Sequence, residues 1–110
     1  MPRLLRSFVL TCIVWSLTAA CIAQAPADAA KIFKANCELC HGTDGSGNTG
    51  PGKAFHAQDL RSVETQKQSD AQLTETITRG RDKMPAFGAK IKADDITKLV
   101  AYVRTLALKK

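Results

Sequence analysis

The sequence is poor in several kinds of residue that common folds and chemistries require. Among its 110 residues are only two His, two Met, one Trp and one Tyr, and aromatic side chains make up 5%. No segment alternates apolar and polar residues over a sustained length, so a β-sheet is not predicted. The length allows one small domain and excludes a doubly wound nucleotide-binding fold, a barrel or a multi-domain enzyme. The hydrophobic fraction of 45% and the charged fraction of 24% indicate a globular chain rather than a disordered one.

A long apolar run is also missing. The longest, from Ser7 to Leu17, has about 11 residues, whereas a membrane-spanning helix needs about 20. Two basic residues, Arg3 and Arg6, precede this run, and small residues follow it at positions 18–25. A basic end, a short apolar core and a small-residue stretch are typical of a secretory signal. We therefore predict a signal peptide at residues 1–23.

Cleavage after Ala23 leaves residues 24–110 as the mature domain, exported to the periplasm and without a transmembrane segment. Two alternatives stay open. Residues 1–23 could instead form a permanent anchor helix at the N-terminus. The segment 17–21 also loosely resembles a bacterial lipoprotein box, with Thr18 where that motif prefers Leu, which would place a lipid on Cys21.

Removal of the signal changes the net charge and the numbers of cysteine and methionine residues. The remaining 87 residues carry 14 basic and 10 acidic side chains, a net charge of +4. Of the four cysteines only Cys37 and Cys40 remain, and of the two methionines only Met84. The framework of two disulfides that four cysteines suggest in a short chain is therefore excluded.

The two remaining cysteines belong to the segment Cys37-Glu38-Leu39-Cys40-His41, a CxxCH pattern. This pattern is typical of covalent c-type haem attachment. Residues three apart in a helical turn lie on one face, so both sulfurs can reach the two vinyl groups on one porphyrin edge. The next residue, His41, can then offer an imidazole nitrogen to the iron as the proximal ligand. We predict one covalent haem c.

Other uses of these cysteines are less consistent with the sequence. A thioredoxin-like CxxC needs a βαβ context, whereas the flanks here indicate a helix and a Gly-rich loop. A zinc site from Cys37, Cys40, His56 and one further ligand leaves His41 without a role. A disulfide between Cys37 and Cys40 would be strained.

Met84 is the candidate for the sixth iron ligand because it is the one thioether outside the signal. It lies in the segment from Gly80 to Gly88, and Pro85 directly after it favours an extended backbone that ends a helix. A Met ligand raises the potential relative to two imidazoles. The alternative is a Met that fills a gap in the core. His56 is the competing sixth ligand, although its polar surroundings favour a solvated side chain.

Cys37 to His41 followed by Met84-Pro85 resembles the class I cytochromes c, the small soluble monohaem kind of bacterial and photosynthetic electron transport. The resemblance covers essentially the whole mature chain. It implies an all-α fold in which three or more helices wrap around one covalently bound haem. It also implies that the Pro51 carbonyl accepts the N–H of the proximal imidazole, and that Tyr102 packs on the first helix near Phe33.

Three helices are predicted from the sequence pattern. The first covers Ala27 to Asn36 and leads into Cys37. The second follows a capping-box start at Ser69 and ends at Gly80. The third starts near Asp94 and has one apolar face formed by Ile96, Leu99, Val100, Val103 and Leu106. In this third helix Lys92 or Ala93 stands where a Ser or Thr cap is usual. The segment between His41 and Ser69 is predicted to be a Gly-rich loop.

These features predict a monomeric electron-transfer protein without a catalytic site. The alternative is a haem enzyme or sensor, which needs an open iron site and follows if Met84 does not ligate. Arg79, Arg81 and Lys83 precede Met84, and in the geometry of the resembled family they lie near the exposed haem edge. Such a cluster favours docking to a redox partner with an acidic face, or it is simply a solvated basic surface. Nucleic acid is not predicted as a partner.

Overall fold

The structure, a computed structural model, describes the backbone of residues 25–109 and the side chains of residues 28–108. The predicted signal peptide at residues 1–23, its cleavage after Ala23 and the alternative of a lipid on Cys21 all lie outside the described residues.

All regular secondary structure in the described residues is helical. Its six α-helices and one 3₁₀ turn are α1 (Ala25–Asn36), α2 (Glu38–His41), α3 (Gly50–Ala54), α4 (Val63–Gln66), α5 (Asp70–Arg79), α6 (Ala93–Leu106) and the 3₁₀ turn Ala107–Lys109. No strand occurs among these residues; a single isolated bridge joins Arg81 and Met84. The predicted all-α fold is therefore confirmed.

Helices α1 and α6 pack against each other and form the centre of the fold. Phe33 of α1 is buried, and its ring centroid lies 5.0 Å from that of Tyr102 on α6, with the two ring planes tilted by 50°. Tilted aromatic pairs at this distance are favourable beyond the area they bury. The contact implied by the family resemblance is confirmed.

The apolar face predicted for α6 is buried in full: Ile96, Leu99, Val100, Val103 and Leu106. The helix begins with Asp94 and Asp95 and has Arg104 in its last turn, so both ends complement the helix dipole. Its N-cap position is Lys92, whose side chain makes no capping hydrogen bond.

Helix α5 begins and ends as predicted. The Ser69 hydroxyl accepts the Gln72 amide at 3.1 Å, and the Gln72 side chain accepts the Ser69 amide at 2.9 Å, which completes the capping box. Gly80 ends the helix with a φ of +75°, in the left-handed region that favours glycine. Residues 80–88 then follow directly from the end of this helix.

Helices α3 and α4 lie within the segment that was predicted to be a loop, and this prediction is wrong in part. The side chain of Thr49 caps α3 and that of Ser62 caps α4. Both helices are too short to show an apolar period, and α3 contains two glycines and a proline. Caps and tertiary contacts, rather than helix propensity, stabilise such short turns.

No helix within residues 25–109 combines the length and the apolar composition that crossing a bilayer requires.

Candidate haem-binding site

One helical turn carries the CxxCH segment. The backbone continues from α1 through Cys37, whose amide donates to the Phe33 carbonyl at 2.8 Å. The Cys37 carbonyl then accepts the amides of Cys40 at 3.2 Å and His41 at 2.9 Å. Cys37 and Cys40 are both half-buried and free of disulfides. The turn therefore has the helical geometry that places thiols three residues apart on one face, as the spacing predicts.

Burial raises the pKa of the Cys37 thiol to about 11, and the nearby Cys40 adds to the shift. A thiol with such a pKa is protonated at neutral pH.

His41 is oriented by one hydrogen bond. Its side chain is 9% exposed, and its Nδ1 lies 3.0 Å from the Gln58 carbonyl oxygen. A carbonyl only accepts, so Nδ1 carries the proton and donates it, and Nε2 keeps a lone pair for a metal. Burial lowers the pKa of His41 below its ordinary value, and the hydrogen bond to Gln58 opposes this only in part. The neutral imidazole is the form that ligates iron.

The partner of the His41 ring differs from the expected Pro51. The Pro51 carbonyl accepts the Phe55 amide at 3.0 Å, because Pro51 stands in the first turn of α3 and its carbonyl takes part in that helix. Gln58 instead presents its carbonyl to the imidazole. The sequence carries no signal for Gln58, since a backbone carbonyl can come from any residue type.

Gly52, the residue after Pro51, lies directly against the Cys40 carbonyl, and a side chain at this position would clash with that oxygen. Helix α3 therefore packs closely on the CxxCH turn. Pro51 lies in the first turn of the helix that makes this contact.

Met84 is held in a turn closed by its own backbone. The Met84 amide donates to the Arg81 carbonyl at 2.8 Å, and the Arg81 amide donates to the Met84 carbonyl at 3.1 Å. Asp82 within the turn has a φ of +52°, a conformation that Asp tolerates better than most residues. The backbone of Met84 is thus fixed independently of any ligand.

Two further hydrogen bonds attach the chain after Met84 to α5. The Phe87 amide donates to the Ile77 carbonyl at 2.9 Å, and the Gly88 amide donates to the Thr78 carbonyl at 3.0 Å. At the other end of the turn, a Cβ on Gly80 would lie 2.6 Å from the Met84 carbonyl oxygen. The turn, defined here as residues 80–88, is therefore tied to the end of α5 on both sides.

Met84 and Cys37 border the same apolar cluster. Both are half-buried against a set of buried side chains: Phe33, Phe87, Ile91, Ile96, Leu99 and Leu106. The fold thus brings the predicted thioether and the first predicted attachment residue to one core, although 46 positions separate them in the sequence.

The structure places His56 at the surface, as its polar sequence context favours. Its side chain is exposed, and its φ is +55°. Within the part of the chain that the structure describes, no three His, Cys, Asp or Glu side chains form a cluster able to hold a metal ion. The structure therefore does not assemble the alternative zinc site from Cys37, Cys40 and His56.

The donor set fits a covalent haem. Two free thiols lie on one helical turn, a neutral imidazole has Nε2 available, and a thioether lies at the border of an apolar core. Thiols for attachment, one nitrogen and one soft sulfur are the groups that a c-type haem with a low-spin iron uses.

Comparisons with known proteins agree with this chemistry. The family described as "Cytochrome C oxidase, cbb3-type, subunit III" matches residues 24–103. Cytochrome c6 of Microcystis aeruginosa is 37% identical over 82 residues, which cover 74% of this chain and 98% of that protein. The cbb3-type cytochrome c oxidase subunit FixP of Azorhizobium caulinodans is 38% identical over 96 residues, but this chain spans only 32% of its length.

A solved structure shares both fold and sequence with this chain. The KustC0563 c-type cytochrome superposes with a TM-score of 0.67 at 32% identity, covering 72% of this chain and 96% of that one. Together with the all-α architecture and the CxxCH turn, these likenesses identify the fold and the cofactor. The chain belongs to the cytochrome c family, as a small monohaem protein with covalently bound haem c.

Proposed function

We propose that this protein carries single electrons through a six-coordinate haem, with His41 and Met84 as the axial ligands and thioether bonds at Cys37 and Cys40. Electron transfer is the function of the cytochrome c family, and the ligand set is our assignment. The observation that carries it is the Met84 turn, which is closed by two hydrogen bonds and attached to α5 beside the core that Cys37 also borders.

Each residue then has a defined task. The bound haem supplies an iron that cycles between Fe(II) and Fe(III). His41 offers Nε2 while Gln58 holds Nδ1, which keeps the imidazole plane fixed during the cycle. The prearranged turn presents the Met84 thioether without a large rearrangement of the backbone. Pro51 supports the site from the first turn of α3, which packs against the CxxCH turn. No residue is assigned a catalytic step.

The ligand assignment is tested by comparing Met84→Ala with His56→Ala, because these are the two candidates for the sixth position. In the wild type we expect the weak far-red absorption band of Met–iron ligation in the ferric state and no carbon monoxide binding in the ferrous state. Met84→Ala should lose the band and bind carbon monoxide, whereas His56→Ala should match the wild type. Carbon monoxide binding by the wild-type protein would instead indicate the open iron site of a haem enzyme or sensor.

We also propose that the redox partner has an acidic docking face. Arg79 is 78% exposed, Arg81 and Lys83 are exposed beside it, and all three precede Met84 in the chain. The ion pairs of the two arginines, Arg79–Glu75 at 3.6 Å and Arg81–Asp82 at 3.9 Å, are on the surface and weak. The rate of electron transfer to an acidic partner should fall with rising salt, and the fall should be smaller in Arg81→Gln.

For the N-terminal segment, we propose that residues 1–23 direct export to the periplasm and are removed there, leaving a monomer of residues 24–110. The support is the basic, apolar and small-residue order of the sequence. Mass spectrometry of the secreted protein gives the cleavage site directly. A mass that includes a lipid on Cys21 would show the lipoprotein route instead.

A further inference from the structure

A charged cluster outside the ligand set joins two segments of the chain. One begins at His41, and the other supplies the carbonyl that contacts the His41 ring. Arg61 contacts Asp59 through Nε at 3.0 Å and through Nη2 at 3.2 Å, one bond to each carboxylate oxygen. Its other terminal nitrogen lies 3.7 Å from an Asp44 oxygen. The Arg61 side chain is 23% exposed. Both carboxylates are further fixed, because the Arg61 amide donates to Asp59 and the Ser46 amide and hydroxyl donate to Asp44.

The first of the two segments begins at His41. The Gly47 amide donates to the His41 carbonyl at 2.7 Å, so residues 41–47 form a closed loop that contains Asp44. The second segment, residues 57–61, contains the Gln58 carbonyl that accepts from the His41 ring. Between the two segments, the Leu60 amide donates to the Gly45 carbonyl at 2.8 Å. Arg61 is fixed on Asp59 within the second segment, and its ion pair with Asp44 at 3.7 Å connects that segment to the first.

We propose that Arg61 is a positioning residue that holds the Gln58 carbonyl against Nδ1 of His41 by joining Asp59 to Asp44. This inference rests on the proposed role of His41 as the proximal ligand. An isolated surface ion pair contributes little, but a two-pronged arginine–carboxylate contact within a network of charges has a fixed geometry. Lysine has a similar charge but cannot make the two parallel bonds to Asp59 and reach Asp44 as well.

The hydrogen bond to Gln58 affects how strongly the His41 imidazole donates electrons to the iron. A hydrogen bond from Nδ1 to a carbonyl makes the ring a stronger donor to the metal, which favours the ferric state. When this bond loosens, the imidazole becomes a weaker donor and the reduction potential rises. Arg61→Lys isolates the effect because the net charge stays the same, whereas a neutral substitution would itself lower the potential.

The experiment compares holoprotein carrying Arg61→Lys with holoprotein carrying Arg79→Lys. The control makes the same chemical change at an exposed arginine with a single i,i+4 ion pair. In ¹⁵N-labelled ferrous protein, hydrogen exchange at the His41 Nδ1 should be faster by about tenfold in Arg61→Lys, the size expected when one hydrogen bond is largely lost. The reduction potential should rise in the same variant. Arg79→Lys should leave both quantities at the wild-type values.

Equal exchange rates in Arg61→Lys, Arg79→Lys and the wild type would overturn the proposal. Far-UV circular dichroism and haem content establish that each variant is folded. If Arg61→Lys does not fold, Asp44→Asn tests the proposal instead. This substitution weakens the contact between Arg61 and the loop of residues 41–47 and leaves the Asp59 contact intact. Its exchange must then exceed that of the wild type. A wild-type protein without an imidazole-ligated spectrum would refute the proposed function itself, and that outcome is distinct from an unchanged exchange rate in the variants.

Discussion

The glycine at the end of α5 determines how the candidate sixth ligand is held. Gly80 has a φ of +75°, and its Cα faces the Met84 carbonyl so closely that a Cβ would lie 2.6 Å from that oxygen and 2.9 Å from the Ala86 nitrogen. Both neighbours are backbone atoms, which cannot rotate away as a side chain would. Gly50, by contrast, has no positive φ, and a Cβ added there would meet no heavy atom within 4 Å.

Gly80→Ala is therefore expected to destabilise the holoprotein by about 1–3 kcal/mol, from backbone strain and from the clash with the Met84 turn. Gly50→Ala should be neutral or stabilising by about 0.4–1 kcal/mol, because alanine restricts the unfolded chain more than glycine does. Guanidinium unfolding of both variants gives the two free energies. Equal stability of the two variants would contradict the assignment of strain to Gly80.

Most residues of the candidate site could be predicted from the sequence. Cys37, Cys40 and His41 lie in one continuous pattern, and Met84 is the one methionine outside the predicted signal. Gln58 could not be predicted, because it contributes a backbone carbonyl and its side chain has no part in the contact. The expected donor of that carbonyl, Pro51, follows the family pattern, whereas in this chain its carbonyl takes part in α3.

Among the helices, α5 and α6 begin in different ways. Helix α5 has a complete capping box between Ser69 and Gln72. Helix α6 begins at Lys92, which has the extended backbone of an N-cap, with φ of −62° and ψ of 150°, but no capping side chain. The first amides of α6 therefore lack the hydroxyl or carboxylate acceptor that serine, threonine or aspartate provides.

Ser69→Ala should lower the free energy of unfolding by about 1 kcal/mol, and Lys92→Ser should raise it by about 0.5–1 kcal/mol. Both substitutions lie at exposed positions, so differences in packing do not obscure the result. Thermal or guanidinium unfolding of the holoprotein measures both. A stabilising Ser69→Ala or a destabilising Lys92→Ser would refute this account of the two helix starts.

The long helices could be predicted from the sequence, whereas the short ones could not. The predicted helices correspond to α1, α5 and α6, each with at least 10 residues and a cap or an apolar period in its sequence. Helices α3 and α4, with five and four residues, have no room for such a period. Their side-chain caps, Thr49 and Ser62, lie in Gly-rich or polar surroundings that equally indicate a turn.

The molecule as a whole has a small apolar core. The described side chains include ten buried hydrophobic residues. All of these except Ala29 belong to a larger cluster around Phe33 and Leu99 or to a smaller one around Leu73 and Val100. A domain of this size buries a limited share of its surface, so its own core gives only marginal stability. A bound porphyrin adds apolar surface to the larger cluster, which Cys37 and Met84 border.

The protein without haem is therefore expected to be largely unfolded. The variant with both Cys37→Ala and Cys40→Ala cannot form the thioether bonds, so its haem can be extracted. Prepared free of haem, it should show a far-UV circular dichroism spectrum with most of the helical signal lost. The wild-type holoprotein under the same conditions is the control. A cooperative thermal transition of the double variant, with helicity near that of the holoprotein, would show that the core suffices alone.

The contact between Phe33 and Tyr102 joins the first and the last α-helix of the described chain, and this sets a time order for folding. Contacts between residues so far apart in sequence form only after the entropy of closing the intervening chain has been overcome. During synthesis on the ribosome, α1 cannot pack against α6 until α6 has been made, so the larger core cannot form earlier. The larger core therefore stays open until α6 has been synthesised, which is compatible with the proposed export, since an export channel admits only an unfolded chain.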